Sequence, residues 1–373
     1  MTPYERVVLE VTEACSHACV HCYNYWRENR APAVAKDTLS RAQIRTLIRK
    51  IKNDAPLKQV GLSGGEPLLR ADTPGIVADL MEEGISPVVI TSGTLLTASL
   101  AARFPEGTIF EITLFSADSA LHDRIAGRPG AFRRVLQGAA NALSHRCTLA
   151  VSVVVNRLNA HHVRGALELG IALGAEAFLL NRVNLTRLTL PQADWLAPTA
   201  DQLKAAVAAA NAVARKYDAP IGIAVPLPPC VVDPTPYRHL HFGWCPRGGP
   251  ESYYTVSHNG MLRPCNHSSL VLGDLKKKSF AALTESRKSA EFWAPVPPEC
   301  STCQHPLRDQ CRGGCPAASD ECYGTRQRCD PLVHVTVGSQ GSTPEEKALP
   351  GRPEPRRRGH APAASDRYYS NVS

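Results

Sequence analysis

Two hydrophobic periodicities alternate along the first two thirds of the chain. Short apolar runs predict strands at Arg6–Val11, Lys58–Leu62, Pro87–Thr91, Thr108–Phe115, Thr148–Val155 and Ala177–Leu180. Between them, apolar residues recur at helical spacing over Ser40–Lys52, Asp72–Glu83, Ala131–Ser144, His161–Leu173 and Thr199–Lys216. In the first of these, Ile44, Leu47, Ile48 and Ile51 share one face and Ser40 stands where an N-cap belongs. Such alternation predicts an α/β fold with a parallel sheet over residues 1–217. From Asp218 the texture changes. Pro220, Pro226, Pro228, Pro229, Pro234 and Pro236 exclude a helix, and residues 218–244 are expected to be a linker. Beyond it, Tyr253–Ser257, His258-Asn259-Gly260 and Met261-Leu262 spell a β-hairpin, since Asn-Gly tolerates positive φ. This second domain spans 245–335. The Gly-, Ser-, Pro- and Arg-rich residues 336–373 are expected to be disordered.

Composition narrows the class. A chain of 373 residues, 43% hydrophobic and 20% charged, can build two modest cores. No apolar run reaches the ~18 residues of a membrane span, and no secretory signal opens the chain. Met1 stands so close to the first strand that no N-terminal accessory domain is expected. Thirteen cysteines without an export signal point to metal ligation in the reducing cytoplasm rather than to disulfides. The net charge of +8 is scattered. Lys276–Lys278 and Arg356–Arg358 lack interleaved aromatics and read as solvated faces, so no nucleic-acid partner is expected.

The chemistry begins right after the first strand. Cys15, Cys19 and Cys22 stand at C-x3-C-x2-C, a soft donor set for an iron–sulfur centre or zinc. Three thiolates leave one metal position open. The bland reading is a helix burying three thiols on one face, because the spacing is also i, i+4, i+7. About forty residues on, a second strand-like run ends in Gly64-Gly65-Glu66-Pro67.

This pair of motifs resembles the radical S-adenosylmethionine (SAM) enzymes. The resemblance implies a partial (β/α)6 barrel in which the three cysteines hold a [4Fe–4S] cluster and the open iron binds SAM. It implies that Gly64 and Gly65 let backbone approach the methionine amino group, with Glu66 and neighbouring carbonyls of the Gly64–Pro67 motif as acceptors. Thr91-Ser92-Gly93-Thr94 is similar to the family's turn near the SAM ribose, with Ser92 in the usual Asn place. Ser116-Ala117-Asp118 and His122-Asp123-Arg124-Ile125-Ala126-Gly127 resemble its S-x-D and H-D-x-x-R-G segments. Ser116 is then a candidate ligand of the SAM carboxylate. Ala126 replaces the Arg before the Gly, so Arg124 or Arg128 must supply any guanidinium. Asp118 and His122 read better as a cap and a structural hydrogen bond than as bases, and Cys147 as a small buried hydrophobe.

Eight cysteines follow between 245 and 329. Their C-x2-C pair also suits a zinc ribbon, but the ensemble resembles the SPASM extension, which holds two auxiliary [4Fe–4S] clusters. Carried over, Cys245, Cys265 and Cys315 belong to the first cluster, and Cys300, Cys303, Cys311 and Cys329 to the second. The seven-residue gap from Cys303 to Cys311 is a little longer than the family's, a small loop insertion. The first cluster lacks an evident fourth ligand; Cys230 is the candidate, or that iron is open. Cys322 is a spare for Cys329.

The resemblance implies one-electron cleavage of SAM to a 5′-deoxyadenosyl radical that abstracts a substrate hydrogen. The expected substrate is a peptide or protein side chain, as in maturases of ribosomal peptide natural products. Expected partners are an electron donor such as a ferredoxin or flavodoxin and a separate leader-peptide-binding protein. Alternatives are a sulfatase-type formylglycine maturase, a small-molecule or cofactor tailoring enzyme, and a non-catalytic Fe–S or zinc scaffold.

Overall fold

The computed structural model describes residues 3–24 and 37–337. Of the tail 336–373 expected to be disordered, Thr336 and Val337 end a helix, Pro331–Val337; the rest, with the Arg356–Arg358 cluster, lies outside the described residues. Eleven strands form one sheet: β1 (Arg6–Thr12), β2 (Gln59–Gly64), β3 (Ser86–Thr91), β4 (Ile109–Thr113), β5 (Thr148–Val155), β6 (Ala177–Arg182), β7 (Ile221–Ile223), β8 (Leu240–Phe242), β9 (Tyr254–Val256), β10 (Met261–Arg263) and β11 (Gly273–Asp274). Their order is β11-β10-β9-β1-β2-β3-β4-β5-β6-β7-β8. Strands β1 to β8 pair in parallel with their neighbours. The fold expected from the alternation is present, and all five predicted helices form.

Period-two alternation divides the strands into an outer and an inner face. Leu9, Leu62, Val89, Phe110, Ile112, Val151, Val153 and Leu180 join one core with Ile44, Leu47, Ile48 and Ile51 of the helix Arg41–Asp54. Ser40 caps that helix in a full capping box with Gln43. The alternate positions carry the polar groups Glu10, Glu111, Ser152 and Asn181. Asn181 Nδ2 donates to Ser152 Oγ at 3.4 Å.

Burial pushes the Glu111 carboxyl up to about 7, against the opposing hydrogen bond from Ser152. A carboxyl raised by folding takes up a proton in the native state. The penalty is therefore absent below about pH 4.5, grows up to pH 7 and is full above it. Glu111→Gln removes it, so thermal melts of the variant should gain on wild type as pH rises from 5 to 8. The upper bound is about 3 kcal/mol.

The proline-rich stretch contains no helix, as the prolines dictate, yet it is more than a linker. Ile221–Ile223 and Leu240–Phe242, the two proline-free ends of the stretch, extend the sheet beyond β6. The boundary expected there is crossed by continuous strand pairing. The Asn-Gly hairpin forms with Gly260 at φ +87°, and β9 docks in parallel on β1 (Val7 opposite Tyr254, Leu9 opposite Val256). The cysteine-rich region is thereby built onto the first strand, next to the C-x3-C-x2-C loop.

Candidate active site

The loop after β1 carries Cys15, Cys19 and Cys22, all half-buried. It does not form the helix of the bland reading. Two neighbouring segments clamp its backbone. Ala18 and Val20 amides donate to the carbonyls of Ala126 (3.2 Å) and Ile125 (3.1 Å). Arg128 Nη1 donates to Ser16 O at 2.6 Å. Gly127, left-handed at φ +61°, lies so close that a Cβ would stand 2.3 Å from Ala18 O. The His122–Gly127 segment therefore shapes the thiol loop.

The second clamp is Gly64–Pro67. Gly65 N donates to Thr12 O (2.8 Å) and Glu66 N to Ala14 O (2.7 Å). A Cβ on Gly65 would fall 2.1 Å from Ala14 O, and one on Gly64 2.2 Å from Thr12 O. These glycines make room first for the thiol loop's own backbone. Pro67 opens a short 3-10 turn capped by Glu66. Buried Glu66 is held by four donors: Leu68 N and Thr91 Oγ1 on Oε1, Ser92 N and Ser92 Oγ on Oε2. That set fills the ~4 acceptor sites of a carboxylate. Glu66 thus locks the turn after β2 to the turn after β3, and Ser92 is its partner.

Ser116 is buried, its Oγ accepting from Asp118 N at 2.9 Å and 3.3 Å from His162 Nδ1. Asp118 caps the helix Ser119–Ala126, and His122 accepts from Phe115 N, the structural roles expected. Arg124 is exposed, while Arg128 touches the loop. Pattern reading passed over Asn24. Its Nδ2 donates to Gly64 O at 2.9 Å, tying the loop's end to the second clamp. Asn24 Oδ1 and His21 Nδ1, both buried, meet no protein partner. Half-buried thiols with unpartnered polar atoms two residues or fewer from Cys22 suit a cluster and a polar ligand.

The later cysteines fall into two groups. Cys245, Cys265 and Cys315 share one apolar cluster with Phe292 and Trp293. Burial, then the charge of Asp330, pushes the Cys315 thiol up to about 12. Asn266 Nδ2 donates to Tyr23 Oη at 3.2 Å, and the Tyr23 and His267 rings meet edge-on at 4.5 Å. Neighbours of Cys22 and Cys265 therefore touch.

Buried Asp330 organises the region. It accepts from Cys315 N at 3.0 Å and pairs with buried Arg182 at the end of β6. Arg182→Met would strand that carboxylate, a loss of about 3–5 kcal/mol. Urea unfolding of the holoprotein measures it, and the double variant with Asp330→Asn should recover part of the loss.

Two further cysteines lie near these groups. The Cys230 thiol is pushed up to about 11 by burial and then by Cys311, Cys300 and Cys303. Pro228, two residues before it, packs on the Cys311–Cys315 loop, which brings the proline-rich segment to the second group. Cys322 packs beside Val183, Leu185 and Leu196. Burial first, and then the charge of Asp330, raises its thiol. Cys329 Sγ is 3.3 Å from His334 Nε2, with Glu299 beside them. These three residues could hold a metal ion.

The Radical SAM superfamily matches residues 9–170, and the iron–sulfur cluster-binding SPASM domain matches residues 245–315. The chain belongs to the radical SAM superfamily and carries a SPASM domain after its barrel. It is an enzyme of radical SAM chemistry, with a [4Fe–4S] cluster and SAM as cofactors and further Fe–S binding in the SPASM domain. Among named relatives, a PqqA peptide cyclase of Xanthomonas euvesicatoria is 26% identical over 97% of each chain. That of Methylocella silvestris is 26% identical over 88% of this chain and 87% of its own. Solved structures share the fold. Streptococcus suis SuiB bound to precursor peptide SuiA aligns with TM-score 0.64 and 13% identity, over 88% of this chain and 75% of SuiB. Native anSMEcpe with AdoMet and the Cp18Cys peptide aligns with TM-score 0.67 and 15% identity, over 89% and 94%.

Proposed function

We propose that this enzyme cleaves SAM reductively and oxidatively modifies a side chain of a ribosomally made peptide. The observation that carries the chemistry is the thiol loop pinned on both sides by backbone that no side chain can replace. The peptide substrate is supported by the PqqA peptide cyclases, which match along nearly the whole chain.

Cys15, Cys19 and Cys22 would hold the first cluster. With SAM bound, that cluster supplies one-electron cleavage to methionine and a 5′-deoxyadenosyl radical. The protein's part is orientation. Glu66 fixes Pro67, Ser92 and the adjoining turns as one rigid rim, Gly64 and Gly65 hold the loop against it, and Asn24 Oδ1 offers an acceptor. Ser116 would meet the SAM carboxylate from the turn after the fourth strand. Arg124 is the charge on the helix Ser119–Ala126 that follows, and Arg128 holds the thiol loop. Cys245, Cys265 and Cys315, and Cys300, Cys303, Cys311 and Cys329, would hold two auxiliary clusters. The Tyr23–Asn266 contact brings the first of these groups beside the thiol loop.

A ferredoxin or flavodoxin would donate the electron, and a separate leader-binding protein would present the peptide. No helix among the described residues is long and apolar enough to cross a membrane, and the thiol-rich chemistry suits the cytoplasm. Co-expression with a short precursor encoded beside the gene tests the substrate class. A loss of two hydrogens or a new crosslink by mass spectrometry is expected. An unmodified peptide alongside an oxidised Cys or Ser in a neighbouring sulfatase would overturn it.

A further inference from the structure

Four irons of a cluster offer four corners to protein thiolates, and the second auxiliary group gathers a fifth thiol from outside the SPASM match. Cys230 lies fifteen residues before that match begins, in the proline-rich stretch. Buried Val231 and Val232 anchor its turn, their amides donating to Pro228 O at 2.8 and 3.1 Å. Pro228 itself packs on the Cys311–Cys315 loop, 3.2 Å from where a Gly314 Cβ would stand. On that same loop a Gly313 Cβ would lie 3.7 Å from Cys300 Sγ. Arg182 Nε donates to Pro226 O at 3.2 Å, fixing the segment from the barrel side. The Cys230 residue is exposed at its outer edge, yet three thiols of the second group are the charges that reach its sulfur.

Cys329, the corner that the SPASM pattern assigns, lies beside Cys300 and also meets a second donor set. Its sulfur contacts His334 Nε2, and its amide donates to Glu299 Oε1 at 2.5 Å. We propose that the second auxiliary site holds five thiols for four corners, Cys230 being placed to take the corner otherwise taken by Cys329. This rests on the radical SAM/SPASM reading and adds a ligand from the barrel's own extension of the sheet. Ligation deprotonates the incoming thiol and protonates the outgoing one, so iron oxidation states are unchanged.

Iron content and the EPR spectrum of the reduced holoprotein test it without recourse to activity. Wild type should carry about twelve irons. Cys329→Ala should keep about twelve with an altered auxiliary EPR signal, and the double variant with Cys230→Ala should fall to about eight. In the Cys329→Ala holoprotein, Cys230 should resist iodoacetamide until a chelator strips the iron, a reading that a folding defect would not mimic. Cys230→Ala alone should also keep about twelve, because Cys329 then holds the corner; a fall to about eight would contradict the sharing. A Cys329→Ala protein that drops to about eight irons, with no further loss in the double variant, overturns it. Wild type holding only about four irons would instead remove the auxiliary clusters themselves, and the proposal with them.

Discussion

Replacing Cys19 with Ala will abolish 5′-deoxyadenosine formation and lower the iron content by about four, from about twelve to about eight. Cys19 lies between the two amides, Ala18 and Val20, that pin the loop to Ile125 and Ala126. The backbone around the missing thiol therefore stays in place. The thiol itself is half-buried at the edge of the small cluster of Phe115, Ile125, Ala126 and Ala131, so far-ultraviolet circular dichroism should be unchanged. Two thiolates cannot hold a cubane with one corner left for SAM. Chromatography of the SAM reaction under dithionite reads the outcome directly. Retained 5′-deoxyadenosine would break the assignment of this loop.

A single methyl group should do nearly as much damage at Gly65. Its Cβ would stand 2.1 Å from Ala14 O and 2.6 Å from Glu13 O. Both obstacles are backbone, so no rotamer change relieves them, and the thiol loop must move. Overpacking of this kind costs about 1–3 kcal/mol, and here the displaced element is the one that positions the cysteines. Gly65→Ala should lose the first cluster's ~4 irons and the SAM reaction, while the auxiliary clusters remain. Gly165 is the matched control. Its Cβ would meet only Ala117 Cβ at an ordinary 3.5 Å, inside the helix Val163–Ala172. Gly165→Ala should stabilise by roughly 0.5–1 kcal/mol with full activity. A Gly65→Ala enzyme with wild-type iron and turnover would contradict the clamp.

Much of this architecture is legible in the residues. Thr148–Val155 and Ala131–Ser144 form over the ranges the pattern predicts, because long, strongly periodic segments decide their own conformation. The Cys-x3-Cys-x2-Cys loop and the Gly64–Pro67 motif are legible for another reason: their spacing reports chemistry. What the sequence hides is tertiary. The short strands Ile221–Ile223 and Leu240–Phe242 carry too few residues to show a period, and the prolines between them argue for a linker; only an unpaired edge at β6 makes them strands. Asn24 follows a cysteine motif and looks like any loop polar residue. Its role appears once Gly64 O is seen 2.9 Å from its amide. A residue count does not show that Pro228, two residues from Cys230, packs on the Cys311–Cys315 loop, or that Cys322 packs beside Val183, Leu185 and Leu196. Glu66 is a subtler case. Its motif marks it as important, and the four donors around it show that it braces two turns.

The central claim is that thiolate-bound iron at the barrel mouth takes SAM and breaks it. The most direct measurement is anaerobic incubation of the reconstituted enzyme with SAM and dithionite, following methionine and 5′-deoxyadenosine together. The account predicts that both appear in equal amounts. Zinc in the purified protein and SAM recovered intact would contradict it.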